Sequence, residues 1–178
     1  LKDLGYDPKE YSPGFIKNKI ETNFITTANF APYLLERAQM YMNNDQARNA
    51  MLDYDAYYKA VNGQVNDLFY YYREQAALKA RQYQRALDDI VKAIELSPKD
   101  LTYRAEHAVV NLRVGRYEES MKILNEILKD EPKYGEAYRL LGLCQIQLKK
   151  TDEACGNFNK AKELGDPNVD ELIKKYCK

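Results

Sequence analysis

Residues 80–98 and 114–132 decide the fold, because they read "ARQYQRALDDIVKAIELSP" and "VGRYEESMKILNEILKDEP" and end in prolines 34 positions apart. Aligned on those prolines, the two stretches carry aromatic, small and apolar residues at the same places. The register recurs in "LKKTDEACGNFNKAKELGD" at 148–166 and, after a longer linker, in "NDQARNAMLDYDAYYKAVN" at 44–62. A period of this length is typical of an array of helical hairpins.

A second amphipathic stretch precedes each copy, with apolar residues at helical spacing. The four stretches read "APYLLERAQMYMN", "NDLFYYYREQAALKA", "LTYRAEHAVVNLRV" and "GEAYRLLGLCQIQLK". One such hairpin cannot bury its apolar face, whereas stacked hairpins can. Residue types predict N-caps at Asp100 and Thr151, and helix stops at Asn62-Gly63 and at Gly165.

Composition excludes several classes of function. The 178 residues hold 27 basic and 27 acidic side chains, which argues against nucleic acid as the main partner. No apolar run is long enough for a membrane span, so we expect no membrane insertion. The sequence begins at Leu1 without a signal peptide, and we expect it to be a fragment of a longer or processed protein.

These residues resemble the tetratricopeptide repeat family, which places a small residue at position 8 and an aromatic or leucine at position 24 of each repeat. The resemblance rests on Tyr138, Leu141, Gly142, Ala154, Phe158 and Ala161 in one copy, and on Ala108, Gly115, Tyr117, Ser120 and Pro132 in the copy before it. It covers residues 31 to about 167.

The resemblance implies an all-α fold, a right-handed superhelical stack of about four helix hairpins with a C-terminal capping helix. The predicted segments are an irregular N-terminal segment at 1–30, repeats at 31–66, 67–100, 101–134 and 135–167, and the capping helix at 168–178. In that last helix the inward residues are predicted to be Val169, Leu172, Ile173 and Tyr176.

In this family the concave groove of the first helices carries function, so the resemblance implies a non-enzymatic scaffold that binds a peptide or protein segment. The groove residues implied are Leu35, Gln39, Met42, Tyr71, Gln75, Leu78, Lys79, Ala105, Val109, Leu112, Arg113, Arg139, Leu143, Ile146 and Gln147. The residues with which some relatives hold a chaperone's C-terminal carboxylate are absent. The alternative is a structural module of a longer chain that stacks on neighbouring repeats or forms a homo-oligomer, with segment 1–30 as a groove filler.

The run "FYYY" at 69–72 fits this framework. Phe69 and Tyr70 are predicted to be core residues, Tyr71 to line the groove and Tyr72 to lie toward its rim. The alternative is that all four rings pack in the interior.

The residue types and their spacing predict no enzyme and no cofactor. The sequence holds no glycine-rich phosphate loop and no Cys-x-x-Cys pair. We interpret the single histidine, His107, as a half-buried structural residue. The carboxylates are predicted to lie on solvated helix faces or at helix caps.

The sequence also predicts two ion pairs. Arg37 with Asp53, and Arg73 with Asp89, occupy the same two positions of their repeats, which predicts an ion pair within each hairpin. The competing pairing joins Asp53 to Arg73 of the next repeat.

The three cysteines fall at one end of the last layer and leave three alternatives: reduced core thiols, a disulfide in an oxidising compartment, or an incomplete metal site. The ending "GDPNVDELIKKYCK" resembles that of exported bacterial tetratricopeptide proteins. This implies export, to a periplasm in a bacterium, with a cytoplasmic location otherwise. In an exported protein we expect Cys155 to bridge Cys177 and Cys144 to stay free.

Overall fold

The computed structural model describes residues 31–177, and within this range the chain is helical and contains no strand. Nine helices follow one another: α1 (Ala31–Asn43), α2 (Ala47–Ala60), α3 (Asp67–Lys79), α4 (Tyr83–Leu96), α5 (Leu101–Val114), α6 (Tyr117–Asp130), α7 (Gly135–Gln147), α8 (Thr151–Glu163) and α9 (Asp170–Tyr176). The predicted all-α class is confirmed. The segment predicted as irregular, 1–30, lies outside the described residues.

Two of the predicted helix-end signals are confirmed at Asp100 and at Asn62-Gly63. The Asp100 carboxylate accepts hydrogen bonds from the backbone N–H groups of Thr102 and Tyr103, at 2.8 and 3.2 Å, and so caps α5. After α2, Asn62 and Gly63 adopt φ values of 51° and 73°, in the left-handed region that ends a helix. The predicted N-cap at Thr151 is wrong.

Thr151 is the first residue of α8, and Lys150 before it holds the cap position without a side-chain hydrogen bond. An unpredicted cap occurs at Asn66, whose side-chain oxygen accepts a hydrogen bond of 3.0 Å from the Phe69 N–H at the start of α3. The prediction placed one cap a residue too late, at Thr151 instead of Lys150, and overlooked the cap at Asn66.

The chain forms two compact units that divide after Gln82. This division falls inside the repeat predicted at 67–100, and the predicted repeat boundaries remain predictions. In the first unit, α2 packs against both α1 and α3. Its interior includes Leu34, Ala38 and Met51, all buried.

A buried ion pair joins α1 to α2 in the first unit. The Arg37 Nε donates to Asp53 Oδ2 at 2.6 Å, and a second guanidinium nitrogen donates to the other oxygen at 2.5 Å. The predicted Arg37–Asp53 pair is therefore confirmed. Arg73 lies 3.6 Å from Asp55, measured from Nη1 to Oδ1. The predicted pair of Arg73 with Asp89 would join residues of the two units and stays a prediction.

In the second unit, each helix from α4 to α9 packs against the next, and α5 also contacts α7. Small residues allow these helices to lie close together. Their methyl groups face larger apolar side chains in one cluster made of Ala105, Ala108, Leu124, Ile127, Ala137, Leu140, Leu141 and Cys144. The arrangement sets α5 beside α7, as expected for the first helices of adjacent hairpins.

The two helices of the last hairpin approach each other closely at Gly142 of α7. A methyl group built on Gly142 would lie 2.4 Å from Cε1 of Phe158, whose side chain in α8 is fully buried. Gly142 and Phe158 occupy the small and the aromatic positions of the repeat. The ring therefore fills the space that any larger residue at 142 would need.

The short helix α9 covers the end of the second unit. Val169 is buried, and Ile173 and Tyr176 pack against the cluster around Phe158. A disulfide joins Cys155 to Cys177 across 5.6 Å between their Cα atoms, while Cys144 is free and buried. The cover predicted for residues 168–178 is thus a seven-residue helix tied to α8 by a covalent bond.

Candidate functional site

A cavity of about 600 Å³ lies in the second unit along α5 and α7. We name it the α5–α7 cavity, and its lining residues are Val109, Leu112, Arg113, Tyr117, Glu136, Arg139, Leu140, Leu143 and Gln147. Six of them are among the predicted groove residues: Val109, Leu112, Arg113, Arg139, Leu143 and Gln147. On each helix these residues recur three or four positions apart, which places them on one face.

The middle of this cavity is apolar. Val109, Leu112 and Leu143 are half-buried and pack against the core cluster of the second unit, so each keeps part of its surface open to solvent. Leu140 is buried beneath them. The floor therefore offers hydrocarbon surface that a second molecule could cover.

Arg139 is held in place by two carboxylates. Its Nη2 donates to Glu136 Oε1 at 2.7 Å and its Nε donates to Asp166 Oδ2 at 3.0 Å. The Tyr134 hydroxyl donates to the other Glu136 oxygen at 2.9 Å. Burial and this hydrogen bond raise the pKa of Tyr134, so its proton stays in the network. The guanidinium thus serves the protein's own structure.

A further carboxylate lies near Glu136. Glu106 on α5 is half-buried, and its pKa is raised first by burial and then by the negative charge of Glu136. Glu106 precedes Val109 by three positions and Arg113 by seven, which places all three on one face of α5. Arg113 is exposed and forms no ion pair with any residue in the range 31–177.

Nine predicted groove residues do not line this cavity, and three of them pack into or against the protein's interior. Ala105 is 4% exposed, because its single methyl group ends below larger neighbours in the core cluster. Met42 is 8% exposed, since it packs into the interior of the first unit. Ile146 packs against the cluster around Phe158. The prediction that Ala105 and Met42 offer groove surface is therefore corrected.

The first unit has its own cavity, of about 660 Å³. Of the predicted groove residues it includes Leu35 and Gln39, and the rest of its lining is Tyr54, Tyr57, Gln64, Val65, Asn66, Leu68, Phe69 and Tyr72. Tyr71, Gln75 and Leu78 are half-buried and lie outside this lining. Lys79 lines a separate, smaller cavity, where its Nζ lies 3.5 Å from Asp45 Oδ1.

The aromatic run at 69–72 is only partly as predicted. Phe69 is buried, and its ring lies 5.4 Å from that of Tyr57 and 5.8 Å from that of Tyr54. Tyr70 is half-buried, so its assignment to the core is corrected, while Tyr72 is 39% exposed. The tyrosines of α2, Tyr54 and Tyr57, were not predicted to line a cavity, although their spacing of three places them on one helix face.

Buried carboxylates contradict a further expectation. Asp53 and Glu74 are buried, whereas the carboxylates were predicted to be solvated. His107 is half-buried, and burial lowers its pKa, although the charge of Glu119 opposes that shift. Residues 31–177 hold no cluster of three or more side chains suited to a metal ion. Every helix in that range is too short or too polar to cross a lipid bilayer.

Several known proteins are similar to this chain in sequence or in fold. The family model described as tetratricopeptide repeat matches residues 77–144. The small glutamine-rich tetratricopeptide repeat-containing protein 2 of Mycosarcoma maydis is 30% identical over 99 residues, covering 56% of this chain and 28% of that protein. The chain thus spans less than a third of this relative's length.

Two solved structures share the fold. YrrB, described as a repeat protein with an unusual peptide-binding site, superposes with a TM-score of 0.71 at 17% identity, covering 92% of this chain and 81% of YrrB. The first repeat domain of Spaghetti (RPAP3), bound to the HSP90 peptide SRMEEVD, gives 0.55 at 21% identity, covering 62% and 87%. With the 34-residue period, the family match shows tetratricopeptide repeats at residues 77–144, and the solved structures show that the chain shares the fold of such repeat proteins.

Proposed function

We propose that this chain binds a short extended segment of another protein in the α5–α7 cavity. Its relatives support the broader assignment as a protein–protein interaction module. The observation that carries the finer proposal is the cavity itself, with an open apolar floor between charged ends. Such surfaces usually mark interaction sites, and an extended peptide fits a groove between parallel helices.

The bound peptide in the Spaghetti structure supports use of the groove, but not the same chemistry. Family members that hold a chaperone's C-terminal carboxylate use a lysine and an asparagine one turn apart on a first helix. At the corresponding places α7 has Arg139, already engaged by two carboxylates, and the apolar Leu143. We therefore propose recognition of an internal segment by its side chains.

Photocrosslinking in the source cell tests this proposal. A photoreactive amino acid replaces Gln147, which is exposed and lines the cavity, and in a matched variant replaces Leu96, which is exposed at the end of α4. We expect a defined adduct from position 147 only. Equal adducts from both positions, or none from position 147, would contradict the proposal. An adduct with a second copy of the chain would instead favour self-association.

We also propose an oxidising compartment for the protein, supported by the Cys155–Cys177 disulfide, because such bonds persist mainly outside the reducing cytosol. The curated relatives are eukaryotic and give no support to the bacterial origin expected from the C-terminal resemblance. Fractionation of the source cell, followed by alkylation of free thiols in each fraction, locates the protein and its redox state. Recovery only from the cytosol with all three thiols reduced would contradict this proposal.

A further inference from the structure

We propose that the α5–α7 cavity selects a segment with a basic residue and, three or four positions away, an acidic residue, with apolar side chains between them. This inference rests on the proposed function and adds the chemistry of the partner. Carboxylates lie near Glu136 and the adjoining Glu106, Arg113 lies seven positions further along α5, and Val109 falls between them on the same helix face. Charge complementarity therefore specifies the segment.

At the acidic end Glu136 lines the cavity, and the buried Asp166 and the adjoining Glu106 add negative charge behind and beside it. Glu136 and Asp166 both bind the Arg139 guanidinium, which neutralises only one of these two charges. Glu106 adds a third carboxylate, which adjoins the lining beside Glu136 on the face of α5 that carries Val109, and it forms no ion pair with a described residue. The raised pKa of Glu106 supports its closeness to Glu136. A lysine or arginine of a partner would relieve the repulsion between these carboxylates.

The basic end is Arg113, two turns further along the same face of α5. Its side chain is exposed, lines the cavity, and has no ion pair within the described part of the chain. It differs in this from Arg139, which two protein carboxylates already hold. A guanidinium offers a carboxylate two parallel hydrogen bonds, so Arg113 suits a partner Asp or Glu.

The separation of the two ends sets the spacing in the partner. Glu106 and Arg113 are seven residues apart on a helix, which corresponds to about 10 Å along its axis. A peptide in the polyproline II conformation rises about 3.1 Å per residue and presents every third side chain on one face. A basic and an acidic residue three or four positions apart therefore reach both ends. The intervening side chains lie over Val109, Leu112 and Leu143.

The test is selection from a library of random eight-residue peptides displayed on phage, with the full, unreduced chain as bait. Selections run in parallel on the wild type and on two variants that each remove one charge, Glu106→Gln and Arg113→Gln. The matched control is Arg116→Gln, because Arg116 is also exposed on the adjoining turn but lies outside the cavity lining. Thermal melts verify that each variant folds, and Glu136→Gln replaces Glu106→Gln if the latter does not.

We expect the wild type and Arg116→Gln to enrich peptides with the paired charges. Glu106→Gln should lose the preference for the basic residue and keep that for the acidic one, and Arg113→Gln should do the reverse. An enriched peptide should bind Arg113→Gln roughly tenfold more weakly than the wild type. Enrichment of peptides without paired charges would overturn this inference and leave the proposed function standing. Failure to enrich any peptide would overturn both.

Discussion

Replacement of Gly142 by alanine should destabilise the protein, although alanine is the better helix former. A methyl group at this position would lie 2.4 Å from Cε1 and 2.6 Å from Cδ1 of Phe158. Atoms so close must separate, and the clashing atoms belong to a ring rather than to the end of a flexible chain. Because Phe158 is fully buried, the ring can move only by displacing its neighbours in the core.

The magnitude follows from two opposing effects. Alanine in place of glycine in a helix contributes about 1 kcal/mol of stabilisation. An extra methyl group in a well-packed core costs about 1–3 kcal/mol, and the short contact to Phe158 places Gly142 near the upper limit. We therefore expect Gly142→Ala to lower the free energy of unfolding by roughly 1–2 kcal/mol.

Gly156 provides the matched control within the same hairpin. It lies in α8, it is exposed, and a methyl group built on it would have no neighbour within 4 Å. Gly156→Ala should therefore raise the free energy of unfolding by about 0.5–1 kcal/mol. Urea denaturation followed by circular dichroism measures both changes. If Gly142→Ala is as stable as Gly156→Ala, the close packing of α7 on α8 described above is wrong.

Three further predictions concern side chains in the two units. Protein unfolded without reductant should show one titratable thiol, that of Cys144, and native protein none, because burial shields this thiol and raises its pKa; three thiols would exclude the disulfide. Asp53→Asn should cost about 3–5 kcal/mol of stability by leaving the Arg37 charge buried, and replacing both residues by apolar ones should cost less; urea melts of the wild type and these two variants decide, and equal losses would refute the pairing. Burial, aided by the charge of Tyr72, raises the pKa of Tyr54 from 10.0 to about 12. The unfolded chain loses this proton first, so stability should fall as pH rises between these values, and Tyr54→Phe should show a shallower fall in pH-dependent melts.

The repeat could be predicted from sequence because its determinants are periodic. A small residue faces a larger apolar one at fixed places in three of the four copies, as Gly142 faces Phe158, whereas the second copy has Glu74 at the small position. The Arg37–Asp53 pair could be predicted by comparing the copies of the repeat, since the two residues lie on facing sides of one hairpin. Helix order and hairpin packing follow from such patterns alone.

Depth of burial could not be predicted in the same way. Helical spacing gives the direction of a side chain but not the height of the surface around it. Ala105 and Met42 point along the predicted face yet end below it. The Arg139–Asp166 contact joins residues 27 positions apart through the path of the loop after α8, and no sequence period encodes that path. The polar ends of the cavity could therefore not be predicted from the sequence.

We propose above all that a partner segment lies on the apolar floor of the α5–α7 cavity. The most direct measurement is a methyl nuclear magnetic resonance titration of the full chain with a peptide enriched in the selection. We expect saturable shifts of the Val109, Leu112 and Leu143 methyl signals, and unchanged signals for the exposed Leu52 and Leu96. Shifts confined to Leu52 or Leu96, or unchanged signals at all three cavity residues in the presence of bound peptide, would contradict it.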